Sequence, residues 1–275
     1  MTAGAVSVDP LGAGWSALRA FYRDGAPALR TALDALQAAE PEVRRSHEDA
    51  RLTLWLLGVA TALQHTRNPE SMDRALQRAR ELVNVVARAQ DESATVPYRT
   101  LVEGIYRDLA DVIPPQAAAY VTEALDYSER TVRLARESRR DDWLAAALAS
   151  RGDLLLRAAG ADRRMIRRAV TAHEDARRHW PARDVEGRAQ AALGYASALL
   201  AAGEADKAER VLREVLPTFE ARADRYHQAA AHLLLARALL AQDRDEALDE
   251  QAAAVSLYKE LQCRWEQKLA EGALG

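Results

Sequence analysis

Few residues in this chain have the types and spacing to do chemistry. Arg163, Arg164, Arg167, Arg168, Arg177 and Arg178 crowd one short stretch. Guanidinium forks bind carboxylate or phosphate, so one reading is a site for phosphate or an acidic peptide. The other reading is an outer helix face whose arginine stems cover apolar surface. Asp141 and Asp142, in the run RRDDWL, suggest half of a metal site. A hydrated Mg²⁺ would need further carboxylates from a facing helix. Asp153 lies about three turns further along, and no second acidic motif is evident, so a helix start explains the pair better. The histidines, His47, His65, His173, His179, His227 and His232, form no His-Glu-x-x-His pattern or His/Cys cluster. Cys263 has no base beside it, and there is no Gly-rich phosphate loop or Gly-x-Ser-x-Gly elbow. The acidic run Asp243 to Glu250 suits a helix start, where negative charge meets the dipole. No catalytic residue, metal ligand or cofactor is therefore expected, and the balance leans away from an enzyme.

The composition narrows the partners. With 38 basic and 41 acidic residues the formal charge is −3, which gives no bulk electrostatic case for nucleic acid or an anionic membrane. A single cysteine excludes an internal disulfide and fits a reducing cytoplasm. The first residues lack a basic segment followed by a continuous apolar one, so no signal peptide is expected. No apolar run reaches the ~18 residues of a membrane span. The Ala- and Arg-rich bias is associated with high-GC bacterial genomes.

The elements that must position any site are helical. Apolar residues make up 49% of the 275, with only 13 Gly and 9 Pro, and no period-two alternation occurs. Residues 1–11 read as disordered. Helices are expected over 13–23, 27–39, 41–65, 69–89, 97–112, 115–138, 141–160, 162–180, 181–203, 204–217, 225–241 and 245–262, with a short capping helix in the tail. From position 41 they fall into antiparallel pairs. The second helix of each pair carries a marker alanine, Ala75, Ala124, Ala169, Ala208 and Ala247, at spacings of 49, 45, 39 and 39 residues. A recurring period of this size marks a stacked helical array. Gly58 precedes Ala75, and Gly152 precedes Ala169, by the same 17 residues, which lets the paired helices approach closely.

On these residues the chain resembles the tetratricopeptide repeat. Ala196, Ala208, Leu212 and Val215 fit its small–Ala–bulky–small pattern well, Ala75, Ala79 and Leu82 less closely, and Ala169, His173 and Ala176 least. The units RNPESMDRALQRARELV and RRDDWLAAALASRGDLLLR resemble the extended repeats of actinobacterial helical arrays. AVSLYKELQCRWEQKLAE resembles the final repeat of large bacterial transcriptional regulators. The likeness covers roughly 42–270. The usual aromatic at the fourth repeat position and the proline after the second helix are mostly missing. The resemblance implies an all-α, right-handed superhelical array of antiparallel helix pairs, a TPR-like α-solenoid of about 12 helices. It divides the chain into a disordered 1–11, a capping helix pair at 12–40, and repeats with a C-terminal capping helix at 41–275.

The same register places the first helix of each pair on a concave inner face. Leu52, Trp55 and Val59, then Tyr98, Leu101, Ile105 and Asp108, then Asp153 and Arg157, and last Leu193, Ser197 and His232 are the candidate binding residues there. This lining is mostly apolar. Either it holds an apolar helix or peptide of a partner protein, or the superhelix is tight and the first two helices fill it. An alternative is a small-molecule binder or enzyme, with Tyr98, Asp108, Asp153, Arg157 and His232 converging in an enclosed pocket. A third reading is a homodimer built on Leu257, Tyr258, Leu261 and Trp265.

Overall fold

The computed structural model describes residues 9–89 and 91–273. Among them the chain is helical throughout, with thirteen α-helices, two short 3₁₀ turns and no strand. The helices are α1 (Pro10–Asp24), α2 (Ala26–Ser46), α3 (Asp49–Gln64), α4 (Pro69–Ala89), α5 (Val96–Val112), α6 (Ala117–Glu137) and α7 (Asp141–Ala159). They continue as α8 (Arg163–His179), α9 (Val185–Ala201), α10 (Ala205–Ala221), α11 (Arg225–Leu240), α12 (Glu246–Glu260) and α13 (Arg264–Glu271). None is long and apolar enough to cross a membrane.

Short polar side chains start these helices. Asp9, Asp162, Asp184 and Asp224 each accept a hydrogen bond from a backbone N–H two or three residues on. Asn68 accepts from the Ser71 N–H at 3.1 Å. Each bond satisfies a donor that the first helical turn leaves open. Asp141 does not act as the cap expected of it: Arg140 holds that position and Asp141 lies in the first turn.

All five marker alanines are buried, which confirms the pair register. Two helices run longer than the sequence suggests, because Pro41 lies inside α2 and Pro217 inside α10. A buried apolar residue follows each proline by two positions, Val43 and Phe219, each about 1% exposed. Burying such a side chain contributes about 1.5–3 kcal/mol, comparable to the ~3 kcal/mol that an interior proline costs. Packing therefore draws both helices past the break. Of the expected disordered segment 1–11, residues 1–8 lie outside the described residues, and Pro10 already belongs to α1. The last two residues of the expected capping tail also lie outside them, and α13 supplies its helix.

The array closes on itself. α1 packs on α2 and α3 and also meets α11 near the other end of the chain. Phe21 lies 5.2 Å from the Tyr226 ring, and Tyr22 stacks on His227 at 5.2 Å. The Ala26 N–H donates to the Leu261 carbonyl at 2.8 Å. Gly25, at φ 71°, makes that approach possible, since a Cβ there would overlap the Leu261 backbone. One hydrophobic cluster accordingly contains residues of α1 to α5 together with Tyr226, Leu233, Tyr258 and Leu261.

Candidate functional site

The inner side of this closed array carries a chain of buried and half-buried charges. Arg67 stands between α3 and α4 at φ 52°, a left-handed conformation that costs a non-glycine residue about 1 kcal/mol or more. That turn aims its guanidinium inward. Nη1 lies 2.7 Å from Asp108 Oδ2 on α5, and Nε donates to Glu266 Oε1 on α13 at 3.2 Å. The guanidinium also covers the Trp265 ring at 5.1 Å. Gln64 Nε2 donates to the same Asp108 oxygen at 2.7 Å, and Tyr226 Oη donates to Glu266 at 2.9 Å. From Asp108 the chain continues through Arg107 to Asp153 on α7, at 3.1 Å and 2.7 Å. Asp153 Oδ1 then lies 3.3 Å from His173 Nε2 on α8.

Burial opposes the charge on Asp108, but Arg107 and Arg67 outweigh it and hold the carboxyl down at about 2. Asp153 is lowered in the same way, against burial, by its contact with His173 and the charge of Arg107. His173 is itself buried, and its ring occupies a notch between Gly152 and Gly194. A Cβ on either glycine would approach the ring to 2.6 Å. The glycine seen at a fixed distance before Ala169 therefore makes room for a histidine ring.

The twelve inner-face candidates separate into groups. Trp55 is fully buried; its Nε1 donates to the Leu36 carbonyl at 2.8 Å, and its ring lies under Arg44 and Arg78 from α2 and α4. Val59 and Ile105 are buried in the core, with Leu52, Tyr98 and Leu101 half-buried against it. Leu193 is half-buried between α9 and its neighbours, and Ser197 is half-buried beside it on α9. Asp108 and Asp153 join the ion chain, whereas Arg157 pairs with Asp111. His232 Nδ1 lies 2.6 Å from Glu250 Oε2 on α12. The structure thus brings Asp108 and Asp153 together through Arg107 and leaves Arg157 and His232 in separate pairs. Arg67, Arg107 and Glu266 complete the chain, but they carry no spacing signal that ties them to it in sequence. Of the suggested dimer residues, Tyr258 and Leu261 are buried in the chain's own core.

Two other buried groups titrate far from their ordinary values. His65 packs on Phe21 at 4.5 Å, and its Nδ1 is buried without a partner. Burial first, then the charge of Arg67, lowers it to about 3. Glu103 on α5 accepts from Ser150 Oγ at 2.5 Å, while its other oxygen has no partner. Burial raises it to about 7, beyond what Ser150, Thr131 and Arg99 pull back. The folded chain therefore holds a proton on Glu103 that the unfolded chain has released by the middle of this range. The stability from this group is complete below pH ~4.5 and is lost as pH rises through ~7. Glu103→Gln, which keeps the shape without the charge, is expected to raise the unfolding temperature over wild type at pH 8 and hardly at pH 5. Scanning calorimetry at the two pH values checks this, and an equal shift at both would contradict it.

Open space lies on the other side of the molecule. A groove of about 520 Å³ runs between α8 and α10 over α9, with Ala191, Ala192 and Tyr195 in its floor. A second, of about 670 Å³, runs between α6 and α8 over α7. The basic α8 is the ridge between them. Among the described residues no group of His, Cys, Asp and Glu is placed to hold a metal ion.

These features define an all-α array of helix pairs, closed end to end, with a charged interior and two grooves outside. The chain is similar to two solved structures of nearly identical TPR-like repeats from a candidate kinesin light chain of Podosopora anserina. One is 17% identical with a TM-score of 0.49, covering 75% of this chain and 96% of the other. The second is 17% identical with a TM-score of 0.48, covering 78% and 99%. No family model matches the chain, and comparison with curated proteins returns no match.

Proposed function

We propose that this chain is a protein-interaction module whose partner docks on the outer face, along the grooves beside α8. The observation that supports this reading is how the charged side chains are divided. Inside, carboxylates and guanidiniums are tied to one another from Glu266 to Asp153. Outside, Arg133, Arg136, Arg164, Arg167 and Arg168 have no ion-pair partner among the described residues, and they border an open groove. Groups already paired have little left to offer a ligand, whereas exposed unpaired arginines do.

A second reading places an apolar helix or peptide of a partner on the inner face. Leu101 on α5 and Leu193 and Leu200 on α9 favour it, since each is half-buried and not fully enclosed. A small-molecule site would draw on Tyr98, Asp153 and Arg157 of the same face.

Affinity capture from the native host separates the first two readings. Wild type, Arg164→Glu/Arg168→Glu and Leu101→Glu/Leu193→Glu are compared, with helicity checked for each. The outer-face reading expects a specific protein that the arginine variant loses and the leucine variant keeps. Loss with the leucine variant alone moves docking to the inner face. Retention by both folded variants contradicts both readings.

A further inference from the structure

One buried titratable group lies on the seam where the two ends of the array meet. His65 ends α3, and its ring is walled by Phe21 and Tyr22 of α1 and by Tyr226 of α11, at 4.5, 5.7 and 6.0 Å between ring centres. Nε2 lies 3.4 Å from Tyr22 Oη, and Nδ1 is buried without a partner among the described residues. The charged groups around the ring offer an imidazolium no free counter-ion. Arg67 follows two residues on, and α5 presents Arg107 and Asp108. Asp108 already bridges those two arginines. Glu266 of α13 pairs with Arg67 and accepts from Tyr226. His227 of α11 stacks on Tyr22 and has its own carboxylate, Asp224, at 2.7 Å. The His65 ring therefore fits the closed seam as the neutral imidazole and not as the cation.

The seam is also the part of the array that can open alone. Elsewhere each helix packs on helices one or two places away along the chain. Across the seam stand the ring contacts of Phe21 and Tyr22 with Tyr226 and His227, the Arg67–Glu266 pair and the Ala26–Leu261 backbone bond. Losing these leaves the neighbouring helix pairs packed, so opening here costs less than unfolding the chain. Burial and the charge of Arg67 hold His65 at about 3 while the seam is closed, against 6.5 for a hydrated imidazole. Below pH 6.5 a parted state therefore binds a proton that the closed state excludes. Each pH unit from there down to about 3 favours the parted state roughly tenfold more.

We propose that this seam is a proton-operated clasp: neutral His65 holds the two ends of the array together, and its protonation parts α1 from α11 and bares the inner face while the helix pairs stay folded. The clasp rests on neither docking reading above; it governs when the inner face can be reached. Near neutral pH the array is closed. The chain carries its own reporter of the seam. Cys263, its single cysteine, is buried at the start of α13. Its Sγ donates to the Leu261 carbonyl at 3.7 Å, the same carbonyl that takes the Ala26 N–H across the seam. Parting the seam strips that cover from the thiol.

The test reacts the full chain with 4,4′-dithiodipyridine, a disulfide that couples to thiols in acid as well as at neutral pH. Rates at pH 6.5, 5.5 and 4.5 are divided by those of the urea-unfolded chain at the same pH, which leaves the open fraction. In wild type this ratio is expected to rise at least about tenfold between pH 6.5 and 4.5, with helicity unchanged and a weaker urea dependence than global unfolding. His65→Phe should change it by less than about twofold over the same range, and His65→Gln serves where the first variant loses helicity. His227→Gln removes the other imidazole at the seam and should keep the wild-type rise. A flat ratio in wild type overturns the clasp, as does an equal rise in the His65 variant or a rise abolished by His227→Gln. A rise that brings lost helicity and the urea dependence of global unfolding overturns it too, because the proton then unfolds the array instead of parting its ends.

Discussion

Asp108→Ala is expected to destabilise the chain by about 3–5 kcal/mol, the usual cost of breaking a buried ion pair from one side. The reason is the chain of charges it interrupts. Asp108 is about 4% exposed and, among the described residues, is the carboxylate that joins Arg67 to Arg107. Removing it leaves two guanidiniums facing each other at the centre of the array, with Glu266 and Asp153 at the far ends. Gln64 loses its acceptor as well. Asp153→Ala should cost less, because its side chain is about 27% exposed and water can replace part of what is lost. Urea unfolding of both variants checks the order. A loss below about 1 kcal/mol for Asp108→Ala would contradict a structural role for the network.

The second large effect is a loss of stability in acid that traces to His65. Its folded value near 3 lies below the unfolded value of 6.5, so the unfolded chain binds the proton first as pH falls. The contribution of neutral His65 is complete above pH ~6.5 and drains away towards pH 3, about 5 kcal/mol over that interval at ~1.4 kcal/mol per unit. The groups around the ring are Phe21, Tyr22 and Tyr226, with Arg67 the nearby cation. Asp108, held at about 2 against an ordinary value of 3.8, adds its own loss only as pH falls below about 4, so the comparison between pH 6.5 and 4 isolates His65. His65→Phe keeps the aromatic packing and removes the titration. Its stability between pH 6.5 and 4 should therefore fall much less steeply than that of wild type, read by denaturant midpoints. Equal slopes in the two proteins would place the acid sensitivity elsewhere.

The repeat register was legible because it is local. Ala75, Ala124, Ala169, Ala208 and Ala247 repeat at nearly fixed spacing, and every one is buried where two helices meet. The expected helix starts near 69 and 162 were legible for the same reason: Asn68 and Asp162 each bond only their own first turn. What could not be read depends on contacts distant along the chain. Arg67 and Glu266 lie 199 positions apart, and nothing near either residue announces the other. Whether the inner face is open or filled by the first two helices could not be read from the sequence; in the structure α1 meets α11 and α13 meets the α3–α4 turn. Trp55 shows the cost of assuming one face per helix: its ring turns to α2 and α4, where a carbonyl and two arginines hold it. The prolines misled for a related reason. Pro41 reads locally as the start of a helix and Pro217 as the end of one, but Val43 and Phe219 have buried places to fill.

The basic stretch on α8 admitted two readings in sequence, a solvated face or an anion site. The structure adds what sequence periodicity could not. Arg133 and Arg136 of α6 stand opposite Arg164, Arg167 and Arg168, and an apolar floor lies between them.

The central claim is that the array is closed through α1, so that its interior is occupied by its own side chains and docking falls to the outside. A distance measured across the closure tests this most directly. Arg19 on α1 and Arg222 after α10 border the same small cleft. Spin labels are placed at these two positions, with the buried Cys263, whose thiol burial raises to about 12, left unlabelled. The account predicts one short, narrow distance in solution at neutral pH. A long or broad distribution would mean that the two ends part and the inner face opens, and that result would contradict it.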